Sequence, residues 1–308
     1  MIKNPISWPN GAKCAVAITF DMDADSILHL DYPDNAINKI SALSMLRYGP
    51  EVAIPRILET YRQFDIRQTF FVPAWCIENY PSTVKAMVDG GHEVAHHGYI
   101  HEYPGSLSRE EEQYWLKYGI KTIENATGKR PRGWRAPYYD FSGNSADLLI
   151  EEGFLYDSSL MGDDIPYVLK TDKGELIELP CHNGMDDWPQ FANFTDFNYE
   201  MPIKAPSKGV EIFREEFEVM HKHGGLWVSV WHPFVTGRLA NWDKVVELIE
   251  YMKAKGDVWF AGLEDIALYV RRCIDDGSYT PRIDKLPYYD SKVSATLQMK
   301  LPQNGTVS

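Results

Sequence analysis

The sequence predicts an α/β protein, a distorted, TIM-like (β/α) barrel of seven or eight parallel strands. Three observations predict it. Short apolar, β-rich runs alternate with helical patterns, the order of a parallel sheet with helices outside. The number of such units favours closure over an open sheet. Polar clusters follow Phe20, Ala95, Trp134, Tyr156 and Trp231, at the C-terminal strand ends where such barrels carry their chemistry.

Strands are expected at 15–20, 67–72, 92–95, 133–135, 154–157, 176–179, 226–231 and 257–260. Between them, Ile57, Leu58 and Tyr61 stand at helical spacing in 55–64. A short helix over 83–89 stops at Gly90-Gly91. Ser108, with Glu111 three positions on, forms a capping box for a helix running to 126. Further helices span 144–152, 210–221, 242–254 and 263–274; the first three run into Gly153, Gly224 and Gly256.

Segments 26–49 and 185–208 are expected as long loops. The second holds Trp188, Phe191, Phe194, Phe197 and Tyr199, an aromatic density that argues against disorder and for a substrate lid or an oligomer interface. Residues 1–280 are expected to form one barrel domain. Residues 281–308, with Pro281, Pro287 and Pro302, form a tail that packs loosely or crosses to a neighbouring subunit.

Composition narrows the function. A chain of 308 residues that is 44% hydrophobic can bury a large core. A net charge of -13 argues against binding nucleic acid through its phosphates, and weakly against anionic cell-wall polymers as substrates. No apolar stretch approaches the roughly 20 residues of a membrane span. The start, MIKNPISWPNGAK, lacks the apolar core of a secretory signal. Cys14, Cys76, Cys181 and Cys273 are scattered, as free thiols in a cytoplasmic protein would be.

The chemistry concentrates in two places. Asp21, Asp23 and Asp25 alternate in Thr-Phe-Asp-Met-Asp-Ala-Asp, a spacing that puts them on one side of a strand end. Burying them together requires a cation or hydrogen bonds; the alternative is a solvated acidic turn. His92, His96, His97 and His101 are four of nine histidines within ten residues. His97 and His101 are four apart, one face of a helical turn. His92 packs or makes a hydrogen bond, and His96 points away. A carboxylate with two imidazoles is the donor set of an open, catalytic metal site. Arg135, in Trp-Arg-Ala-Pro-Tyr, can hold a carboxylate or make a surface ion pair. Pro137 restricts the backbone in a way that can aim the Tyr138 N–H into the site. His232, between an apolar strand and Pro233, is a satisfied core residue or an acid/base.

Together these motifs resemble the polysaccharide deacetylase family, carbohydrate esterase family 4, over roughly residues 14–268. The family's Thr-Phe-Asp-Asp-Gly is matched by Thr19-Phe20-Asp21-Met22-Asp23, with the second aspartate displaced by one. That form resembles a cytosolic branch of allantoinase-like, cyclic-imide-hydrolase-like and peptidoglycan-deacetylase-like members. His97 and His101 match its His-x-x-x-His, Arg135 to Tyr138 its Arg-x-Pro-Tyr, and His232 its late histidine.

The resemblance implies that Asp23, His97 and His101 hold a divalent metal, zinc first, with cobalt, nickel or iron as alternatives. It implies that Asp21 is the general base and that Arg135 orients it and keeps it ionised. The Tyr138 N–H would stabilise the oxyanion, and His232 would protonate the leaving nitrogen. An aspartate tunes that histidine; Asp157 is the choice, with Asp163, Asp164 and Asp186 as rivals. Asp25 is left as a solvated or hydrogen-bonded loop residue. The expected function is metal-dependent hydrolysis of a non-peptide carbon–nitrogen bond in a small cytosolic amide, cyclic imide or ureide. The alternatives are N-deacetylation of acetylated sugars or peptidoglycan fragments, and a metal-free carbohydrate-binding relative. The resemblance also implies a homo-oligomer, with tetramers common in the branch, and no membrane or nucleic-acid partner.

Overall fold

In the computed structural model, which describes residues 2–289, the first strand is Cys14–Ala17 (β1), buried at every position. Its pairing breaks at Ile18 and Thr19 and resumes as Phe20–Asp21 (β2), so one bent strand serves different neighbours at its two ends. Thr69–Val72 (β3), Glu93–His96 (β4), Gly133–Trp134 (β5) and Tyr156–Asp157 (β6) follow it side by side, all parallel. Tyr167–Thr171 (β7) and Gly174–Glu178 (β8) form an antiparallel hairpin, and β8 continues the wall beside β6. Leu226–Val228 (β9) and Val258–Phe260 (β10) flank β1. Single bridges from Phe20 to Trp231 and from Asp186 to Val230 complete the ring. The result is a distorted barrel of seven staves: β1 with β2, then β3 to β6, β8 and β9.

Helices wrap this wall: Ser26–Asp31 (α1), Ile40–Tyr48 (α2), Ile54–Phe64 (α3), Ala74–Asn79 (α4), Pro81–Asp89 (α5), Arg109–Thr127 (α6), Ser145–Glu151 (α7), Trp188–Phe191 (α8), Pro206–His223 (α9), Leu239–Ala254 (α10) and Leu263–Asp275 (α11). The two-residue period of the strands divides the core. Phe20 and Phe70 pack together in the cluster that holds Trp231 and Trp242. Ala15, Ala17, Phe71 and Ala95 belong to a second cluster with Leu263, Ile266 and Val270 of α11. The capping box forms as expected: Glu111 N–H donates to Ser108 Oγ and Ser108 N–H to Glu111 Oε2.

Several expectations change. Segment 26–49 is largely helical, because Leu28, Ala42 and Leu46 are buried anchors among its aromatic and acidic residues. The wall contains one antiparallel pair, and β7 and α4 were not foreseen. Segment 185–208 holds α8 and the start of α9. The first residues of the expected tail join the sheet, since Ile283–Lys285 (β11) pairs with β7; Pro302 and the rest of 290–308 lie outside the described residues. No helix of the described residues is long and apolar enough to cross a membrane.

Candidate metal and catalytic centre

The polar groups expected at strand ends converge there. Asp21 ends β2, and Asp23 lies two residues beyond it. His97 follows β4, Arg135 follows β5, and His232 lies four residues after β9. Asp21, Asp23, His97, His101, Arg135 and His232 are all buried.

His97 and His101 do not share a helical turn. The chain after His97 turns through left-handed Gly98 (φ 72°) and His101 (φ 69°), which brings the two rings to 4.9 Å between centroids. A side chain at Gly98 would press within about 3.0 Å of Glu102 and Pro137, besides being strained. Glu102 holds the turn by accepting from the N–H groups of Tyr99 and Ile100. His96 faces away, with Nε2 3.1 Å from the Leu116 carbonyl.

Around Asp23 the imidazoles present bare nitrogens. His97 Nε2 lies 3.4 Å from Asp23 Oδ1, and His101 Nε2 lies 3.4 Å from Asp23 Oδ2. His97 Nδ1–H donates to the Arg135 carbonyl at 2.7 Å, which fixes the tautomer and turns the Nε2 lone pair inward. Asp23 Oδ1 and His97 Nε2 are buried and have no hydrogen-bond partner. Burial lowers the His101 ring to about 4, favouring its neutral form. Burial also works against a charge on His97, but Asp21 and Asp23 outweigh it and raise that ring, a sign of negative potential seeking a cation. One carboxylate and two imidazoles with ligand atoms within 4.8 Å of one another, Asp23 Oδ1 and His97 Nε2 among them orphaned, fit a divalent ion.

Arg135 lies behind this group and is fully buried. Its Nη1 donates to Asp21 Oδ1 at 2.6 Å and to Thr19 Oγ1, while Nε and Nη2 reach the carbonyl and hydroxyl of Ser158. Its guanidinium lies 4.0 Å from the Phe71 ring centroid. The Tyr138 N–H makes no hydrogen bond among the described residues, and Tyr138 and Tyr139 both have positive φ (55° and 57°).

The partner of His232 corrects the sequence reading. Asp157 is tied up elsewhere: its carboxylate accepts from Ser159 N–H and Oγ, and burial raises its pKa. Asp187 makes that contact instead. Its Oδ1 accepts from His232 Nδ1 at 2.7 Å; its Oδ2 accepts from the N–H groups of His232 and Thr236 and from Thr236 Oγ1. Asp163 and Asp164 make no such contact, and Asp186 accepts from Tyr139 Oη and the Trp188 N–H. Asp186, Asp187 and His232 also cluster, but these hydrogen bonds already occupy both carboxylates. Of the two alternatives for Asp25, the hydrogen-bonded one holds: it is buried and accepts from Tyr80 Oη at 2.5 Å. Asp187 was missed although Asp-Asp-Trp-Pro, an acidic pair entering an aromatic segment, was there to flag it.

Above these groups lies a cavity of about 380 Å³. Ile27 and Asp31 of α1, Tyr103 and Tyr138, and Trp188, Phe197 and Tyr199 line its walls. Next to its lining residues Asp31 and Phe197 the two long segments meet: Tyr32 Oη donates to the Asp196 carbonyl, and Lys39 Nζ pairs with Asp196 Oδ1 at 2.6 Å.

Fold and site together define a class, the (β/α)-barrel hydrolases with a divalent-metal donor set at the barrel mouth. Residues 34–156 match the family model for polysaccharide deacetylase. A crystal structure of a Mycobacterium smegmatis protein classed as a polysaccharide deacetylase is 39% identical, with a TM-score of 0.86 over 92% of this chain and 97% of that one. The structure of Puue allantoinase is 25% identical, with a TM-score of 0.77 over 91% and 96%. The peptidoglycan deacetylase of Helicobacter pylori is 28% identical over 69% of this chain and 82% of its own length. The chain belongs to the polysaccharide deacetylase family and is a hydrolase of carbon–nitrogen bonds other than peptide bonds.

Proposed function

We propose that this protein hydrolyses a small amide, cyclic imide or ureide, with Asp23, His97 and His101 holding the metal, Asp21 as base and His232 as acid. The observation that carries the reading is the cavity of about 380 Å³, which suits one compact molecule. Trp188, Phe197 and Tyr199 of the aromatic segment line it, and that segment is pinned by Asp196 to Tyr32 and Lys39.

A divalent ion in the Asp23–His97–His101 group supplies Lewis-acid polarisation of the scissile carbonyl and stabilises the developing oxyanion. The donor set suits zinc, and also cobalt, nickel or iron. Asp21, held by Arg135, takes the proton of the attacking water. The free Tyr138 N–H is available to the oxyanion. His232 donates to the leaving nitrogen from Nε2, 3.4 Å from Asp23 Oδ2, while Asp187 holds Nδ1–H. Burial disfavours an imidazolium there, but the Asp187 charge and hydrogen bond outweigh it, and Asp23 adds to them; the ring is held well above its ordinary value, as an acid requires. Four free, buried cysteines support a reducing, cytoplasmic setting. Tyr103 and Tyr138, exposed at the mouth, are available to the homo-oligomer that the family resemblance implies.

A second reading, N-deacetylation of an acetylated sugar or peptidoglycan fragment, is favoured by the similarity to the Helicobacter pylori enzyme. The test is a screen of the zinc-, cobalt- and nickel-loaded protein against cyclic imides, ureides, N-acyl amines and acetylated oligosaccharides. Turnover of a compact amide or imide is expected. Robust deacetylation of the oligosaccharides would overturn the first reading. A preparation that takes up none of the three metals would instead favour a binding module.

A further inference from the structure

We propose that the substrate carries a protonated amine at the end remote from the scissile bond, received by Asp31 at the aromatic mouth of the cavity. The inference rests on the small-amide reading and specifies its substrate class.

Asp31 is the last residue of α1, one turn after Ile27, and the pair presents one face of the helix to the cavity. Asp31 is solvent-exposed at the edge of the cavity, but the helix itself does not favour a carboxylate there. The C-terminal end of a helix carries partial negative charge, so an acid at this position is disfavoured. Asp31 has no hydrogen bond or ion pair among the described residues, and partial burial raises its carboxyl. Yet it faces the same space as the catalytic groups.

The other acids near the cavity are already engaged. Asp21 pairs with Arg135, Asp23 belongs to the metal donor set, and Asp187 pairs with His232. Asp186 accepts from Tyr139 Oη and the Trp188 N–H. No lysine or arginine lines the cavity. Asp31 therefore contributes an unbalanced negative charge at the mouth. The same cavity holds aromatic faces: Tyr103 and Tyr138 stack with centroids 4.1 Å apart, and Trp188, Phe197 and Tyr199 also line it. A carboxylate among tyrosine and tryptophan faces receives an ammonium by charge and by cation–π attraction, and repels a carboxylate. The cavity is thus polarised, with the Lewis-acid end for the carbonyl oxygen and the acidic aromatic end for a cation.

The test uses the metal-loaded protein and three series of N-alkylacetamides of increasing chain length, ending in an ammonium, a methyl or a carboxylate. Turnover and calorimetric binding are both measured. The ammonium series should exceed the methyl series in kcat/KM or affinity by about tenfold at the best length, with the carboxylate series weakest. In Asp31→Asn the ammonium-to-methyl ratio should fall to near one, and in Asp31→Lys the carboxylate series should overtake the ammonium series. Asp31 has no partner to orphan, so these variants are expected to fold. Turnover of methyl amides with no ammonium advantage overturns the inference and leaves the small-amide reading standing. No turnover of these amides or of the cyclic imides and ureides of the wider screen, with ammonium-selective binding that depends on Asp31, does the reverse. Equal binding of all three series, with no turnover of any compound in either set, overturns both.

Discussion

Replacing Asp187 with asparagine should separate the proposed acid function of His232 from the folding of its surroundings. The Asp187 carboxylate is fully buried and accepts four donors: His232 Nδ1 at 2.7 Å, His232 N at 2.8 Å, Thr236 N at 3.1 Å and Thr236 Oγ1 at 2.5 Å. An alanine would strand all four. At about 1–3 kcal/mol for each unsatisfied buried group, the loss approaches the whole stability of a domain, about 5–15 kcal/mol, and the variant would be uninformative. Asparagine can keep its carbonyl oxygen on the three donors that share Oδ2. Its amide then faces Nδ1, which must accept rather than donate, so the ring is neutral with its proton on Nε2. The loss expected is that of one positioned acid, about 10²–10⁴-fold in kcat, or about 3–5 kcal/mol in barrel-mouth chemistry. The assay is kcat on the best compound of the substrate screen, with metal content and melting temperature followed in parallel and the His232 tautomer read by nitrogen NMR. A kcat within about threefold of the parent, with the tautomer changed, would refute the reasoning.

Other outcomes follow from the same geometry. Arg135→Met removes the partner of a buried Asp21 and should cost about 3–5 kcal/mol, seen as a lower denaturant midpoint; an unchanged midpoint would mean that Asp21 finds another partner. His97→Ala should reduce bound metal measured by elemental analysis, whereas Asp21→Asn should keep the metal and lose turnover. Chelation should lower the melting temperature of the parent and have little effect on His97→Ala. Glu93, which accepts from Thr69 Oγ1, Tyr156 Oη and the Glu264 N–H, is pushed from 4.5 to about 7, mainly by burial. A carboxyl raised on folding binds its proton more tightly in the native state, so its contribution is present below pH 4.5 and is lost as pH rises through 7, by about 3 kcal/mol. Glu93→Gln should therefore flatten stability against pH over that window; identical pH profiles for the two proteins would count against it.

What could be read from the sequence was set by local chemistry. β1 and β3 carry apolar runs, Ser108 and Glu111 cap α6, and the motif residues sit just after strands, so the barrel and six of its site residues were visible. The helices of segment 26–49 were hidden because only a few positions, such as Leu28 and Leu46, face the core. The His97–His101 spacing suggested a helical turn, but left-handed Gly98 and His101 achieve the same convergence in a loop. The partner of His232 was out of reach of any local rule. Asp187 stands 45 residues before it in the chain, and only barrel closure brings them together.

That closure has a consequence for how the protein can fail. The Asp186–Val230 bridge joins the two sides of the last seam, reinforced by Asp187 N–H to the Val230 carbonyl and Val230 N–H to Met185, each at 3.1 Å. Opening this seam would part Asp187 from His232, yet leave β2, β3 and β4 paired and Asp23, His97 and His101 assembled. A breathing barrel would therefore keep the proposed metal-binding group while losing the proposed proton donor. Loaded metal would then be a poor measure of competent protein. Exchange of the Asp187 and Val230 amide hydrogens should follow activity more closely, and rapid exchange there in fully active protein would exclude this mode of inactivation.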